Sequence, residues 1–229
     1  MNKSKTLLKT DSRLGQLESM VVQPYSVIWD CCCDHGLLGM SLLKRKRAGE
    51  VIFVDVIAKQ MEKLEKTLTQ SCPRDEYSWR VYCEDLKNIV VPNRDSQLFI
   101  IAGVGSHQAI EFINSLCASA PSTSLDFLIC SVHGNYSVRE SLIKKGFKLK
   151  GERIIFENNR FYEGIYVSKS AGEKIVNTGS IMWDWSDPDH QEYWQRVVGH
   201  YRQKAKTDPI QCQPIVQSYE TLLTSISNF

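Results

Sequence analysis

The sequence has no apolar run approaching the roughly 20 residues that a membrane-spanning helix needs. Its basic opening, MNKSKTLLKTDSRL, carries no apolar h-region, so no secretory signal is read there. A cytoplasmic chain is therefore expected, with its eight cysteines kept as free thiols. Four of them, Cys31, Cys33, Cys83 and Cys130, sit in strand-like apolar runs. A structural zinc site would need C-x2-C twice or an equivalent second Cys/His cluster, and none is present. A redox pair would need C-x-x-C at a helix start, which is also missing. Neither sign of charge dominates. With 28 Lys+Arg against 26 Asp+Glu the net charge is +2, which permits a nucleic-acid partner without requiring one. No internal repeat and no low-complexity stretch interrupts the 229 residues.

What is present is an alternation. SVIWDCCC, EVIFVDV, WRVYCEDL, SQLFIIAGVG and LDFLICSV read as five short apolar strands. All but one of the gaps between them hold helical spacing, as in AKQMEKLEKTLTQS with Met61, Leu64 and Leu68 on one side. Strands alternating with helices of this length imply βαβ units and a parallel sheet buried on both faces. YSVRESLIKKGF then reads as a helix closed at Gly146, and KLKGERIIFENNRFYEGIYVSK as two strands joined by a polar turn at Glu157–Arg160. That last pair would be antiparallel. From about Gly179 the pattern turns helical, with Tyr193, Trp194, Val197, Val198 and Tyr201 on one face of a first helix. DPIQCQP, with two prolines, is read as a break before a second helix, IVQSYETLLTSI. A Rossmann-like sheet over 1–170 and a helical hairpin over 180–229 are expected, divided near Ser170–Gly179.

Two basic stretches stand out. Lys44–Arg47 lies at a predicted helix end, where cations suit the macrodipole of any helix. Lys144, Lys145, Lys148, Lys150 and Arg153 are candidates for touching phosphate. The hairpin segment has four basic residues (Arg196, Arg202, Lys204, Lys206) against six acids, so it is no broad basic surface.

The chemistry concentrates in WDCCCDHGLLG, residues 29–39. Consecutive cysteines on a strand alternate faces, so Cys31 and Cys33 would point away from Cys32, which argues against a shared metal. In open α/β sheets ligands sit beyond the carboxyl ends of the strands, at the turn after the first. Here that turn is Cys31–Gly36. The second strand ends at Asp55, placed to accept from ribose hydroxyls; the third at Glu84-Asp85, placed to accept from an adenine amino group; the fourth at Ala102-Gly103-Val104-Gly105, where backbone lies open. A dinucleotide pyrophosphate wants the glycines of G-x-G-x-x-G. This turn has a single glycine and two flanking acids, Asp30 and Asp34, which suit the phosphate-free, cationic S-adenosylmethionine (SAM) instead.

At this point the chain resembles the TrmK-type tRNA (adenine22-N1)-methyltransferases, class I enzymes with a C-terminal helical extension. DSRLGQL resembles the family's S-x-R-L element, DCCCDHGLLGMSLL its D-x-G-[ST]-D-H-a-x-L-p-x-x-L, and IIAGVGS its I-A-G-M-G-G. FVDV, CEDL, VRESLIKKGF and FYEGIYVSK follow in the family's order. Two positions depart from the pattern. Cys32 stands where the family has a motif glycine, and SVHGN stands where it has Q-P-N after strand five. A Cβ at position 32 is costly if the backbone there needs φ > 0.

The resemblance implies SAM as cofactor and tRNA as partner, with no metal and no membrane. Arg13, Asp30 and Asp34 would surround the methionine moiety, Asp55 would hold ribose, and Asp85 the adenine. Ala102, Gly103 and Val104 would face the methyl group, with Cys32, His35, Gly36, Val56, Glu84 and Leu86 beside them. His133, Asn135 and Tyr136 would line the target-base pocket as catalytic candidates. Plainer readings exist for several of these. Asp55 can cap the following helix, His35 can be a hydrogen-bonded structural residue, Tyr136 can pack on the sheet, and the hairpin aromatics can form the hairpin's own core. A methyltransferase of the same fold with another RNA or a small-molecule substrate, or a non-catalytic SAM- or RNA-binding homologue, remains an alternative.

Overall fold

The computed structural model describes residues 8–120 and 125–224. Its spine is β1 (Tyr25–Cys31), a strand nearly all buried, with residues 27, 29 and 31 packed into one layer and Ile28 into the other. Only a central strand covered on both faces tolerates so continuous an apolar run. Around it lie β2 (Ala48–Asp55), β3 (Trp79–Cys83), β4 (Gln97–Ala102), β5 (Leu125–Cys130), β6 (Lys148–Glu157) and β7 (Arg160–Ser168), in the order β3-β2-β1-β4-β5-β7-β6. The first five pair in parallel; β7 runs antiparallel to both β5 and β6. This is the expected Rossmann-like sheet with its antiparallel final hairpin.

Helices cover both faces: α1 (Arg13–Met20), α2 (Leu37–Lys44), α3 (Ala58–Ser71), α4 (Ser106–Ser119) and α5 (Asn135–Lys144). As their spacing predicts, Met61, Leu64 and Leu68 are the buried face of α3. Between β3 and β4 there is no helix of α-type length, only a single 3-10 turn at Leu86–Asn88. The strands stop where carboxylates begin, with small differences from expectation. β1 runs one residue further, to Cys31, and β3 ends at Cys83, so Glu84 and Asp85 lie just past it. Cys33 lies in the turn rather than in a strand.

The C-terminal hairpin is α6 (Pro188–Lys204) and α7 (Pro209–Thr224). The second helix begins six residues before Ile215, because Pro209 sits at its first turn, where a missing N–H costs nothing. Pro214 is accommodated inside the helix. Val198, Tyr201, Cys212, Val216 and Tyr219 form the hairpin's core, as expected of an apolar face. Tyr193 does not join them. It packs with Ile154 and Met182, tying the hairpin to the sheet. Among the described residues no helix is long and apolar enough to cross a membrane.

That tie has a charged centre. Arg139 of α5 is fully buried and bonds Glu163 of β7 at 2.8 Å and Glu152 of β6 at 2.5 Å. Glu152 also accepts from the backbone N–H groups of Ser180, Ile181 and Met182, and Glu163 accepts from the Tyr193 hydroxyl at 2.6 Å. Burial works against the Arg139 charge, but Glu163 and Glu152 outweigh it and hold its pKa above the ordinary range. Burial likewise opposes the Glu152 charge, and Arg139 and the Ser180 N–H overcome it. Arg139→Met would strand two buried carboxylates and should cost about 3–5 kcal/mol. At this chain length that lowers the thermal midpoint by on the order of 10 °C. Melting followed by circular dichroism checks it, and a loss below about 1 kcal/mol would show the cluster to be dispensable.

Candidate functional site

The turn after β1 is where the sheet opens. Asp30 is buried and accepts from the Gly39 N–H of α2 at 2.8 Å. A Cβ on Gly39 would lie 2.7 Å from Asp30 Oδ2, so only glycine lets the helix come this close. Burial pushes the Asp30 carboxyl up to about 7; the Gly39 N–H works against that shift and the Asp55 charge adds to it. The backbone then turns left-handed at Cys32 (φ 53°), Asp34 (φ 49°) and Gly36 (φ 62°). The cysteine thus occupies a conformation in which a side chain is strained. Its thiol is pushed up to about 12, first by burial and then by Asp55, Asp30 and Asp85, so at neutral pH it is a protonated, unreactive group.

Asp55 ties the two turns together. One carboxylate oxygen accepts from the Asp34 N–H and the other from the Ile57 N–H, both at 3.1 Å. The capping reading is half right: Asp55 bonds the backbone just before α3, but the cap position itself is Ile57. Each oxygen retains a lone pair for a further donor. Asp85 caps the 3-10 turn through the Lys87 N–H, and Glu84 accepts from Asn88. His35 is exposed and, among the described residues, its side chain bonds only its neighbour Asp34, at 2.8 Å.

Two clefts meet at Cys32. One, of about 330 Å³, is lined by Arg13, Asp30, Cys32, Asp34, His35, Ala102 and Gly103. The other, of about 190 Å³, is lined by Cys32, Asp55, Val56, Glu84, Asp85 and Leu86. The structure therefore brings together nearly all of the residues expected at the strand ends. Arg13 is anchored there by Glu157 and lies over the Tyr162 ring. Of the remaining two, Gly36 forms the left-handed cap of α2, and Val104 lies just past β4, its carbonyl accepting from the Val132 N–H. The second cleft also has a wall that sequence reasoning missed, Gln108, Glu111 and Phe112 of α4. Their i, i+3, i+4 spacing put them on one face, but two polar members look like a solvated face.

The three catalytic candidates, His133, Asn135 and Tyr136, line one cavity together but differ in exposure and bonding. His133 is exposed, and a Cβ built on Gly105 would lie 3.3 Å from its ring, so it stands at the open end of β4. Gly134 turns left-handed (φ 71°) against Ser106, where a Cβ would collide. Asn135 is buried: its Oδ1 accepts from Ser131 at 2.6 Å and its Nδ2 reaches the Tyr193 hydroxyl at 3.5 Å. That amide is engaged inside the protein by both its oxygen and its nitrogen. Tyr136 is half-buried against Tyr201 and Tyr219 of the hairpin, so it packs on the helical extension rather than on the sheet.

The basic stretches are largely spent on structure. Arg45 pairs with Glu18 at 2.7 Å and Arg47 bonds the Val22 carbonyl. Lys150 pairs with Asp126 at 2.8 Å beside the Tyr25 and Tyr166 hydroxyls, Lys144 with Glu140, and Arg153 with Ser19. Among the described residues no group of three or more His, Cys, Asp and Glu could hold a metal ion.

A family profile described as a methyltransferase domain matches residues 10–165. The chain belongs to that methyltransferase family. No curated protein matches it by sequence. Among solved structures it is similar to M. capricolum TrmK in complex with S-adenosyl-homocysteine, at 16% identity and TM-score 0.76, covering 95% of this chain and 98% of that one. It is also similar to a Streptococcus pneumoniae protein in complex with S-adenosyl-L-methionine (17% identity, TM-score 0.70, 92% and 98% covered). A third likeness is to the B. subtilis m1A22 tRNA methyltransferase TrmK (17% identity, TM-score 0.68, 96% and 97% covered). At such identities the likeness establishes a shared fold that extends through the hairpin.

For this methyltransferase domain the strain at position 32 is directly measurable. Cys32→Gly and Cys32→Ala differ only in a Cβ at a left-handed backbone. Cys32→Gly should be the more stable by about 1 kcal/mol in urea unfolding. Equal stabilities would mean that the turn relaxes to a right-handed conformation.

Proposed function

We propose that the chain is a SAM-dependent methyltransferase that methylates N1 of an unpaired adenine in tRNA, at the position-22 site of the enzymes it resembles. The observation that carries the cofactor is the strand-end set around the two clefts: carboxylates and open backbone where a pyrophosphate would require glycines. The likeness to TrmK structures over the whole length, hairpin included, supports the substrate.

The donor set fits SAM. Arg13, Asp30 and Asp34 would hold the carboxylate and ammonium of the methionine end in the larger cleft. Asp55, with a lone pair free on each oxygen, would take the ribose hydroxyls, and Asp85 the adenine amino group, with Val56, Leu86 and Phe112 as apolar walls. When bound, SAM supplies an electrophilic methyl group. The chain's contribution is alignment, since in-line displacement gains most from fixed geometry. The backbone of Ala102–Gly105 leaves room at the reacting edge, and His133, beside Gly105, would hydrogen-bond the base edge. Asn135 fixes the loop that carries His133 by bonding Ser131 and Tyr193. Adenine N1 has a free lone pair once unpaired, so no strong base is required. Flipping the base outward costs a few kcal/mol, which stacking and edge contacts must offset. In this reading residues 1–170 form the catalytic unit, 180–229 a substrate-facing hairpin, and the protein works in the cytoplasm.

Calorimetric titration with SAM should show micromolar-range binding, weakened roughly tenfold or more in Asp55→Ala. Undetectable binding by the intact chain would defeat the cofactor assignment. The same titration has a pH signature. Because the Asp30 pKa is raised, the folded chain keeps a proton there between about pH 4 and 7. The stability this contributes at low pH is lost as pH rises through 7. A cationic ligand favours the carboxylate, so SAM affinity should rise from pH 6 to 8 and stay flat in Asp30→Asn. The substrate is tested by mapping tRNA from cells lacking the gene. Loss of N1-methyladenosine at position 22 is expected, and its full retention would overturn the tRNA assignment.

A further inference from the structure

A third cavity, of about 300 Å³, lies between the start of α5, the β6–β7 turn and the hairpin. It shares no lining residue with the two clefts at Cys32. His133 is the partition, since its ring lies against Gly105 on one side and lines this cavity on the other. Asn135 and Tyr136 line it as well, so the cavity adjoins the reacting edge on the side of the residues expected at the target base.

Its walls are aromatic, and its charged groups are Arg160 and Arg196, the latter paired with Glu192 at 2.5 Å. Tyr136 and Tyr201 stand edge to face with centroids 6.3 Å apart, and Phe161 closes the opposite side beneath Arg196, 5.1 Å above its ring. Arg160 and His200 also line the cavity, and no Asp or Glu does. Among the described residues Arg160 makes no side-chain hydrogen bond or ion pair. Burial, and after it Lys204 and His133, make protonation of His200 harder. An anion at this rim would relieve that repulsion. Rings that can stack on a base, a guanidinium and an imidazole that can hold a phosphate, and a volume at the lower end of small-ligand pockets describe a single nucleotide.

We infer that this cavity takes one unstacked nucleotide of the RNA substrate, a neighbour of the methylated base, stacking it on Tyr136, Phe161 and Tyr201 and holding its phosphate with Arg160 and His200. The inference rests on the RNA methyltransferase reading. It makes the hairpin part of the substrate site, since His200, Tyr201 and Arg196 all come from α6.

Two measurements on the full chain test it. In the first, 5′-AMP and adenosine are titrated into protein saturated with S-adenosylhomocysteine, which keeps the cofactor clefts filled. AMP should bind more tightly than adenosine, and Arg160→Ala with His200→Ala should abolish the difference. In the second, methylation of a tRNA transcript is followed in the same double variant. The KM for RNA should rise about tenfold, with SAM affinity unchanged. If the wild type methylates tRNA but the variant keeps its KM and AMP shows no preference over adenosine, the cavity assignment is overturned and the RNA reading stands. If AMP is preferred through Arg160 and His200 while no tRNA is methylated, the nucleotide site holds and the tRNA reading falls.

Discussion

The buried contact of Arg139 with Glu152 and Glu163 is the constraint on which the site's arrangement depends. One guanidinium joins three elements: the helix that follows the His133 loop, the antiparallel β6–β7 pair, and, through the Glu152 carboxylate, the backbone at Ser180–Met182 where the chain leaves the sheet. Two carboxylates against one cation would leave a net buried charge. Three backbone N–H groups on Glu152 and the Tyr193 hydroxyl on Glu163 supply the missing donors. Such a cluster contributes less to stability than an apolar packing of the same volume can, but it admits few alternative geometries. Here it fixes where the hairpin sits relative to the end of β5.

The opposite tendency governs the turn after β1. There the chain holds Cys32 and Asp34 in left-handed conformations, with an acid buried behind them at Asp30. Each feature is locally unfavourable, and Asp55 is what steadies them, one oxygen on each of two backbone segments. Strain gathered at a strand end and held by its surroundings is the pattern expected where ligand rather than core dictates the backbone. Cys32 adds bulk at the junction of the two clefts, and its protonated thiol keeps that junction uncharged.

Much of this was legible in the residues. The parallel sheet follows from apolar runs ending in acids, and the antiparallel finish from the polar turn at Glu157–Arg160. The strand-end candidates were readable because topology alone places Asp30, Asp55, Asp85 and Gly103 on one edge. What could not be read depends on contacts distant in sequence. Tyr193 looked like hairpin core because its spacing matches Trp194, Val197 and Tyr201, whereas Glu163, thirty residues earlier, captures its hydroxyl. Lys150 looked like a surface cation until Asp126 and two tyrosines enclosed it. Pro214 looked like a helix break, yet packing of Cys212, Val216 and Tyr219 against α6 outweighs its lost hydrogen bond.

Asn135 shows how these parts combine. A motif position expected at the target base lines a cavity with His133 and Tyr136 while its amide bonds Ser131 and Tyr193 of the hairpin. Tyr193 in turn bonds Glu163, which bonds Arg139, which belongs to the same helix as Asn135. The loop carrying His133 is therefore closed into a ring of hydrogen bonds that passes through the C-terminal extension. The hairpin is thereby coupled to the methyltransferase sheet by the same bonds that set the position of its candidate catalytic histidine.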